Sequence, residues 1–292
     1  MPHGYALALW VGFISGLRAN KELPRELKHS FWASFGAVLC LLAIESVLFG
    51  RLVSAWAGME LLGATLLWSA LAVPALLSQI SLVRPPGSKQ VYTSFGVPNT
   101  LTLYRALSMP LVLIATVEVL GTPYEVGPGA KLLLLSVYCC VALSDMLDGL
   151  IARLTGRVTD FGRVFDPVVD IFVFITFTTA FWAAGMLPWP YLMLVLLRFL
   201  LPLLGGAFLF MFVGPFEVRP TLSGKAAVLA LASYLAAILM CQVLPCAGLE
   251  TPMAILMWVS ASALALHVAL TGRRGLMMLI THLRASAGGT SK

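Results

Sequence analysis

All five aspartates of the 292-residue chain lie in one window, at positions 145, 148, 160, 166 and 170. Their spacing gives them chemical meaning. At 100° per residue, Asp145, Asp148, Gly149 and Ala152 fall within roughly a 100° arc of one helix. Asp166 and Asp170, four residues apart, stack on one face of a second helix. The stretch 154–161 between them carries Thr155, Gly156, Thr159 and Asp160 and is polar enough to turn at an interface. The spacing therefore predicts two adjacent antiparallel helices whose acidic faces meet. Four carboxylates gathered near a membrane repel one another unless a counter-charge is present. Hard divalent cations such as Mg²⁺, Mn²⁺ or Ca²⁺ supply that charge through oxygen ligands. Two of them can clamp a transferring phosphoryl group from both sides. Gly149 and Ala152 leave open surface where a ligand can approach the backbone, and Arg153 offers a planar fork suited to a phosphate. Asp160, beside Thr159 and ahead of an apolar run, reads as a cap or a solvated loop charge and stays outside the site.

The elements that must position these residues are membrane spans. The chain is 60% hydrophobic and only 11% charged, with a mean hydropathy of +0.94, whereas soluble domains have about 45–50% apolar and about 25% charged residues. An intrinsically disordered chain and a charged nucleic-acid binder are both excluded. Apolar runs at about 31–50, 56–83, 100–120, 129–149, 164–186, 188–213, 224–244 and 252–271 reach the roughly 18–20 residues that cross a hydrocarbon core. Short alternating segments are missing, so the fold class is an all-α integral membrane protein of about eight spans. The division expected is an interfacial segment at 1–30, two leading spans at 31–83, a linker at 84–96, a six-span unit at 97–271 and a basic tail at 272–292. The linker opens with Arg84-Pro85-Pro86-Gly87, which cannot continue a helix. Gly4–Leu17 is too short to span and lacks the flanks of a signal peptide; with Trp10, Phe13, Arg18 and Lys21 it suits a helix lying on the membrane.

The formal charge is +6, read here as loop charge beside anionic headgroups. Alternating the loops places fifteen Lys and Arg on one side, against Arg51 and Lys131 on the other. Basic loops stay cytoplasmic, so both termini and the Asp-bearing loop are expected inside a plasma (inner) membrane. Arg105 and Arg198 sit within spans. Arg198 could bind an acceptor phosphate or pair with a core carboxylate, and Arg105 could reach a diphosphate or snorkel to the headgroups. Arg219 and Lys225 border the cytoplasmic face as further phosphate contacts, a placement that topology alone also explains. Asn99 and Thr100 could contribute to the site or merely cap the span that follows. His267 reads as a packed helix residue. The five cysteines, with no metal-ligand spacing, read as small core residues.

Asp145-x2-Asp148-Gly149-x2-Ala152-Arg153-x8-Gly162-x3-Asp166-x3-Asp170 resembles the signature of the CDP-alcohol phosphotransferase family at every fixed position. Pro98-Asn99-Thr100-Leu101-Thr102-Leu103-Tyr104-Arg105 is similar to that family's entry into its first core span. The resemblance covers about 97–271. It implies a six-helix core, here preceded by two extra spans, that works as a homodimer and displaces CMP from a CDP-linked donor with an acceptor alcohol. By position, Asp145, Asp148, Asp166 and Asp170 would hold two divalent cations, Mg²⁺ or Mn²⁺, and Asp170 would be the catalytic base. Asp148, Gly149, Ala152, Arg153 and Gly162 would contact the CDP group. Asn99, Arg105, Arg198, Arg219 and Lys225 remain phosphate or acceptor candidates. Thr159-Asp160-Phe161-Gly162 and Phe165-Asp166-Pro167 look most like the phosphatidylglycerophosphate synthase branch, although Ile171 stands where that branch usually has Lys. The expected reaction runs from CDP-diacylglycerol to glycerol 3-phosphate in phospholipid synthesis. Inositol phosphate, serine, choline or a second lipid are the alternative acceptors. A cation transporter using the Asp cluster is the reading from another class, and a catalytically idle scaffold is a third.

Overall fold

The computed structural model describes residues 23–88, 90–213, 221–244, 248 and 250–288. Every regular element among them is helical: α1 (Arg25–Leu52), α2 (Ala55–Ser78), a single 3-10 turn (Ile80–Leu82), α3 (Val97–Leu107), α4 (Met109–Leu120), α5 (Pro128–Leu154), α6 (Asp160–Ala183), α7 (Trp189–Val213), α8 (Leu222–Val243) and α9 (Glu250–Gly288). Seven are long and apolar enough to cross a membrane, and α3 with α4 makes an eighth span bent by 44°. The all-α, roughly eight-span reading therefore holds. Its details shift in three places. The second span ends at Ser78, five residues early, and the chain then tightens into the 3-10 turn. The third span breaks at Ser108, because Pro110 lacks the N–H that would bond the carbonyl of Ala106. The last helix runs on to Gly288, and its Leu276, Met277, Met278 and Ile280 keep an apolar pattern beyond the expected end at 271.

Large apolar side chains such as Leu67, Leu71 and Trp258 point outward, as a lipid-facing surface requires. The same logic corrects the expectation for the cysteines. Cys40, Cys139 and Cys140 are exposed rather than packed in the core, and all are free thiols. In a bilayer a small hydrophobe is as comfortable on the outer face as within. Gly4–Leu17, Lys89, Arg219 and Cys246 lie outside the described residues.

The described helices fall into two compact units, one running to Met186 and the other starting at Leu187. In the first, α1 and α2 form a hairpin that closes tightly where Gly50 meets Gly58. A Cβ on Gly58 would lie 2.7 Å from the Gly50 Cα. The hairpin also grips α3. Ser34 Oγ accepts from Thr100 Oγ1 at 2.9 Å and Glu45 Oε1 accepts from the Tyr104 hydroxyl at 3.1 Å. The indole Nε1 of Trp68 donates to the Ala106 carbonyl at 2.9 Å, the very group that Pro110 leaves free. The two leading spans thus complete the hydrogen bonding of the bent span behind them. In the second unit, α9 packs against both α7 and α8.

Candidate active site

The turn between the two Asp-bearing helices is built by local rules. Helix α5 ends at Leu154, one residue beyond Arg153, and Gly156 just past it adopts φ +64°. There the Gly156 N–H bonds the Arg153 carbonyl and the Arg157 N–H bonds the Ala152 carbonyl. That paired closure is a Schellman motif, and it favours glycine at the left-handed position. Three residues later Thr159 starts α6, its hydroxyl accepting from the Gly162 N–H at 3.0 Å. The eight residues between Arg153 and Gly162 therefore hold one helix stop and one helix start. Asp160, set aside as a cap or loop charge, binds neither face of the cluster. It pairs with Arg84 Nε at 3.1 Å and donates its N–H to the Arg84 carbonyl, which ties the linker to the start of α6.

The acidic faces of α5 and α6 meet as expected, with the Asp145 and Asp170 side chains in contact, but the two helices are not close-packed neighbours. Helix α3 packs against both, while the α5 and α6 backbones hardly approach each other. Two acidic faces pressed together would repel, and α3 brings a cation between them. Arg105 is 1% exposed and its guanidinium sits among all four site carboxylates. Nη1 pairs with Asp145 and lies 3.1 Å from Asp170 Oδ1. Nη2 lies 3.0 Å from Asp148 Oδ2 and 3.9 Å from Asp166 Oδ1. Arg105 therefore does not snorkel to the surface. Asp148 is buried, whereas Asp145, Asp166 and Asp170 keep part of their carboxylates accessible.

One face of α3 supplies the rest of the site. Asn99, Thr102 and Arg105 project within one 120° arc, and Thr100 and Tyr104 project on the opposite side toward the α1–α2 hairpin. Thr102 was not singled out from the sequence. Its hydroxyl reaches Asp166 Oδ1 at 2.9 Å and Asp148 Oδ2 at 3.3 Å, so it bridges the two acidic helices. The available signal was its position three residues before Arg105, on the same face. Asn99 and Thr100 do not cap α3: its N-cap is Gly96, with no side-chain cap bond. Instead Asn99 is buried, donates to the Phe95 carbonyl at 2.6 Å and accepts from Thr159 Oγ1 at 3.0 Å.

The glycines sit close against the charged side chains, with no room for a side chain of their own. A Cβ on Gly162 would come 3.3 Å from Asp166 Oδ2, and one on Gly149 would come 3.2 Å from Arg153 Nη1. Arg153 thus folds back over Gly149, one turn away on the same helix. Ala152 lies on that helix, between Gly149 and its Schellman end.

Four carboxylates around one guanidinium leave a surplus of three negative charges. With Arg105 in their midst, no three His, Cys, Asp or Glu side chains among the described residues converge to hold an ion on their own. The donor chemistry nevertheless fits hard divalent cations. The oxygens come from four carboxylates, three are accessible from outside, and a cation already occupies their centre.

Two other expected contacts lie in the second unit. Arg198 has no carboxylate partner among the described residues. Its Nη2 lies 3.5 Å from the Gly224 carbonyl and its Nε is buried without a partner. Lys225 is on the first turn of α8, and both belong to the wall of one cavity. His267 is packed as expected, with Nδ1 3.3 Å from Ser223 Oγ and Nε2 3.2 Å from Thr271 Oγ1.

Known proteins resemble part of this chain in sequence. A glycerol-3-phosphate 3-phosphatidyltransferase acting with CDP-diacylglycerol, from Salmonella choleraesuis, is 33% identical over 76 residues, covering 26% of this chain and 38% of that protein. A protein of that same name from Cereibacter sphaeroides is 29% identical over 109 residues, covering 36% and 46%. A proposed cardiolipin synthase of Mycobacterium bovis is 32% identical over 102 residues, covering 35% and 44%. The chain spans less than half the length of these relatives. No solved structure gives a significant match. The family model described as CDP-alcohol phosphatidyltransferase matches residues 95–271, which takes in α3 with its Arg105, both Asp-bearing helices and the three helices after them. The chain belongs to the CDP-alcohol phosphatidyltransferase family.

Proposed function

We propose that the chain transfers a phosphatidyl group from CDP-diacylglycerol to glycerol 3-phosphate and releases CMP, as a step of phospholipid synthesis. One observation carries this reading: the four aspartates of the family signature gather around a single buried arginine, with accessible oxygens on three of them. The donor and acceptor are supported by the names of the relatives.

Asp145, Asp148, Asp166 and Asp170 would hold two Mg²⁺ or Mn²⁺ ions, which offset the negative charge that builds on the phosphate oxygens during transfer. Thr102 fixes the Asp148 and Asp166 carboxylates relative to each other. Gly149 and Ala152 leave room for the cytidine, and Gly162 keeps the approach to Asp166 open. Arg153 would meet the diphosphate, while Arg105, buried among the four carboxylates, would hold them together. Asp170, partly accessible, accepts the proton of the acceptor hydroxyl. The acceptor oxygen bonds to the phosphatidyl phosphorus, the bond from that phosphorus to the CMP oxygen breaks, and CMP leaves with the electron pair. The Lys and Arg bias of the loops supports a cytoplasmic site in the plasma (inner) membrane, and the family resemblance supports a homodimer.

Purified protein supplied with Mg²⁺ or Mn²⁺ is expected to release CMP from CDP-diacylglycerol when glycerol 3-phosphate is added. Inositol phosphate, serine and choline serve as the comparison acceptors. Release at the wild-type rate by Asp166→Asn and Asp170→Asn would end this reading. Cation flux through liposomes without any nucleotide would favour the transporter instead.

A further inference from the structure

The two leading helices lie outside residues 95–271, the stretch that the family covers, yet they hold the helix that carries Arg105. Helix α3 is only 11 residues long, and its span bends by 44° at Ser108, so its continuation does not fix its rotation. Three bonds to the α1–α2 hairpin pin it instead. Thr100 Oγ1 bonds Ser34 Oγ, the Tyr104 hydroxyl donates to Glu45 Oε1, and the Trp68 indole donates to the Ala106 carbonyl. Tyr104 and Arg105 are neighbours in sequence, about 100° apart around the helix axis. A hold on one therefore sets the direction of the other.

Glu45 is the unusual member of the three. It is a carboxylate within α1 that is only 8% exposed, and its Oε2 is buried without a partner. A half-satisfied carboxylate inside a span is costly, and an apolar side chain of similar size would cost less. What the carboxylate supplies is one directional bond, and that bond ends on the residue beside Arg105. Direction matters there, because the guanidinium meets several carboxylates at once. Its Nη1 lies 3.1 Å from Asp170 Oδ1 and its Nη2 3.0 Å from Asp148 Oδ2. A rotation of α3 by about 20° would move a side-chain tip, about 5–6 Å from the axis, by about 2 Å, enough to lose both contacts. We propose that the α1–α2 hairpin is a working part of the transfer site, and that Glu45, acting through Tyr104, is the positioning residue that fixes the Arg105 guanidinium among the four carboxylates. Its effect on rate rests on the transfer reading, whereas the placement of Arg105 does not.

The test uses the full chain in a non-ionic detergent, free of metal and nucleotide. Arginines are modified with phenylglyoxal, and each site is followed by peptide mass spectrometry. Arg105, 1% exposed, should be protected in the wild type. In Glu45→Leu, and in Tyr104→Phe should that variant fail to fold, Arg105 is expected to react at least tenfold faster. The exposed Arg163 should react at an unchanged rate. Glu45→Gln keeps an oxygen that can accept from Tyr104 and should keep the protection. Leu61→Ala opens a cavity at a buried position of the same hairpin but removes none of the three bonds. It should lower the melting temperature and leave Arg105 protected, which separates positioning from general loosening. With Mn²⁺ and both substrates added, Glu45→Leu and Tyr104→Phe should lose at least tenfold in kcat for CMP release with little change in KM, and Glu45→Gln should recover the rate. Arg105 as well protected in Glu45→Leu and Tyr104→Phe as in the wild type overturns the assignment, and so does equal labelling in Leu61→Ala. Because the labelling needs no turnover, a wild type that releases no CMP ends the transfer reading alone, and the labelling still decides the role of Glu45.

Discussion

The acidic cluster of the first unit and the cationic cavity of the second bury charge in opposite ways. Around Arg105 the chain supplies both signs, four carboxylates to one guanidinium. Around Arg198 it supplies one sign only, with no carboxylate partner among the described residues; both arginines keep a buried Nε without a partner, so the contrast lies in the acids alone. The first arrangement is largely self-contained and has room for more positive charge. The second gathers Arg198, Lys225 and Arg274 on one wall with no acid among the residues that line it. The difference shows in the sequence as well. Partners fixed to one another by helix geometry leave a fixed spacing, whereas the cations of the second unit come from α7, α8 and α9 with no common period.

The largest expected effect concerns the accessible carboxylate. Asp170→Asn should lower CMP release by about 10²–10⁴-fold, the range of a general base, with the fold retained in a thermal melt. A loss of less than tenfold would move the base elsewhere. Next comes Arg105→Gln, which leaves four carboxylates facing one another. It should cost about 3–5 kcal/mol of stability, and added Mn²⁺ should restore part of the melting temperature. Arg198→Gln sharpens the contrast because its sign is reversed. Removing a cation that has no carboxylate partner should leave the melting temperature in lipid-free detergent unchanged or raised, and a loss as large as that of Arg105→Gln would break the comparison. The smallest effect is that of Trp68→Phe, which frees the Ala106 carbonyl again at about 0.5–1.5 kcal/mol, one hydrogen bond's worth. If it proved silent, the leading hairpin would not be supporting the bend at Ser108.

Much of this was legible in the sequence, for identifiable reasons. Span count follows from the length of apolar runs, and the Asp faces follow from 3.6-residue periodicity. The Gly156 stop and the Thr159 start belong to residue types with strong local preferences. The interposed helix was less legible. Nothing in the spacing of Asp145 to Asp170 says that a third helix enters between them, although mutual repulsion of the acids required some cation there. Arg105 was seen as a charge within a span, but its partners lie 40 to 65 residues away and emerge only with packing. Glu45 went unremarked because its partner, Tyr104, lies in another span. The bend at Ser108 was hidden for a different reason. A proline in the first turn of a helix is ordinary, and only the Trp68 indole on the Ala106 carbonyl shows what it opened.

The central claim is that the four aspartates around Arg105 form a divalent-cation site at which CMP is displaced. CMP release from CDP-diacylglycerol with glycerol 3-phosphate, measured across a Mn²⁺ titration for wild type and Asp166→Asn, tests it most directly. The account predicts that a chelator silences the wild type, that Mn²⁺ restores it, and that Asp166→Asn needs at least tenfold more Mn²⁺ or stays silent. Wild-type release after chelation, or an Asp166→Asn titration that overlays the wild type, would contradict it.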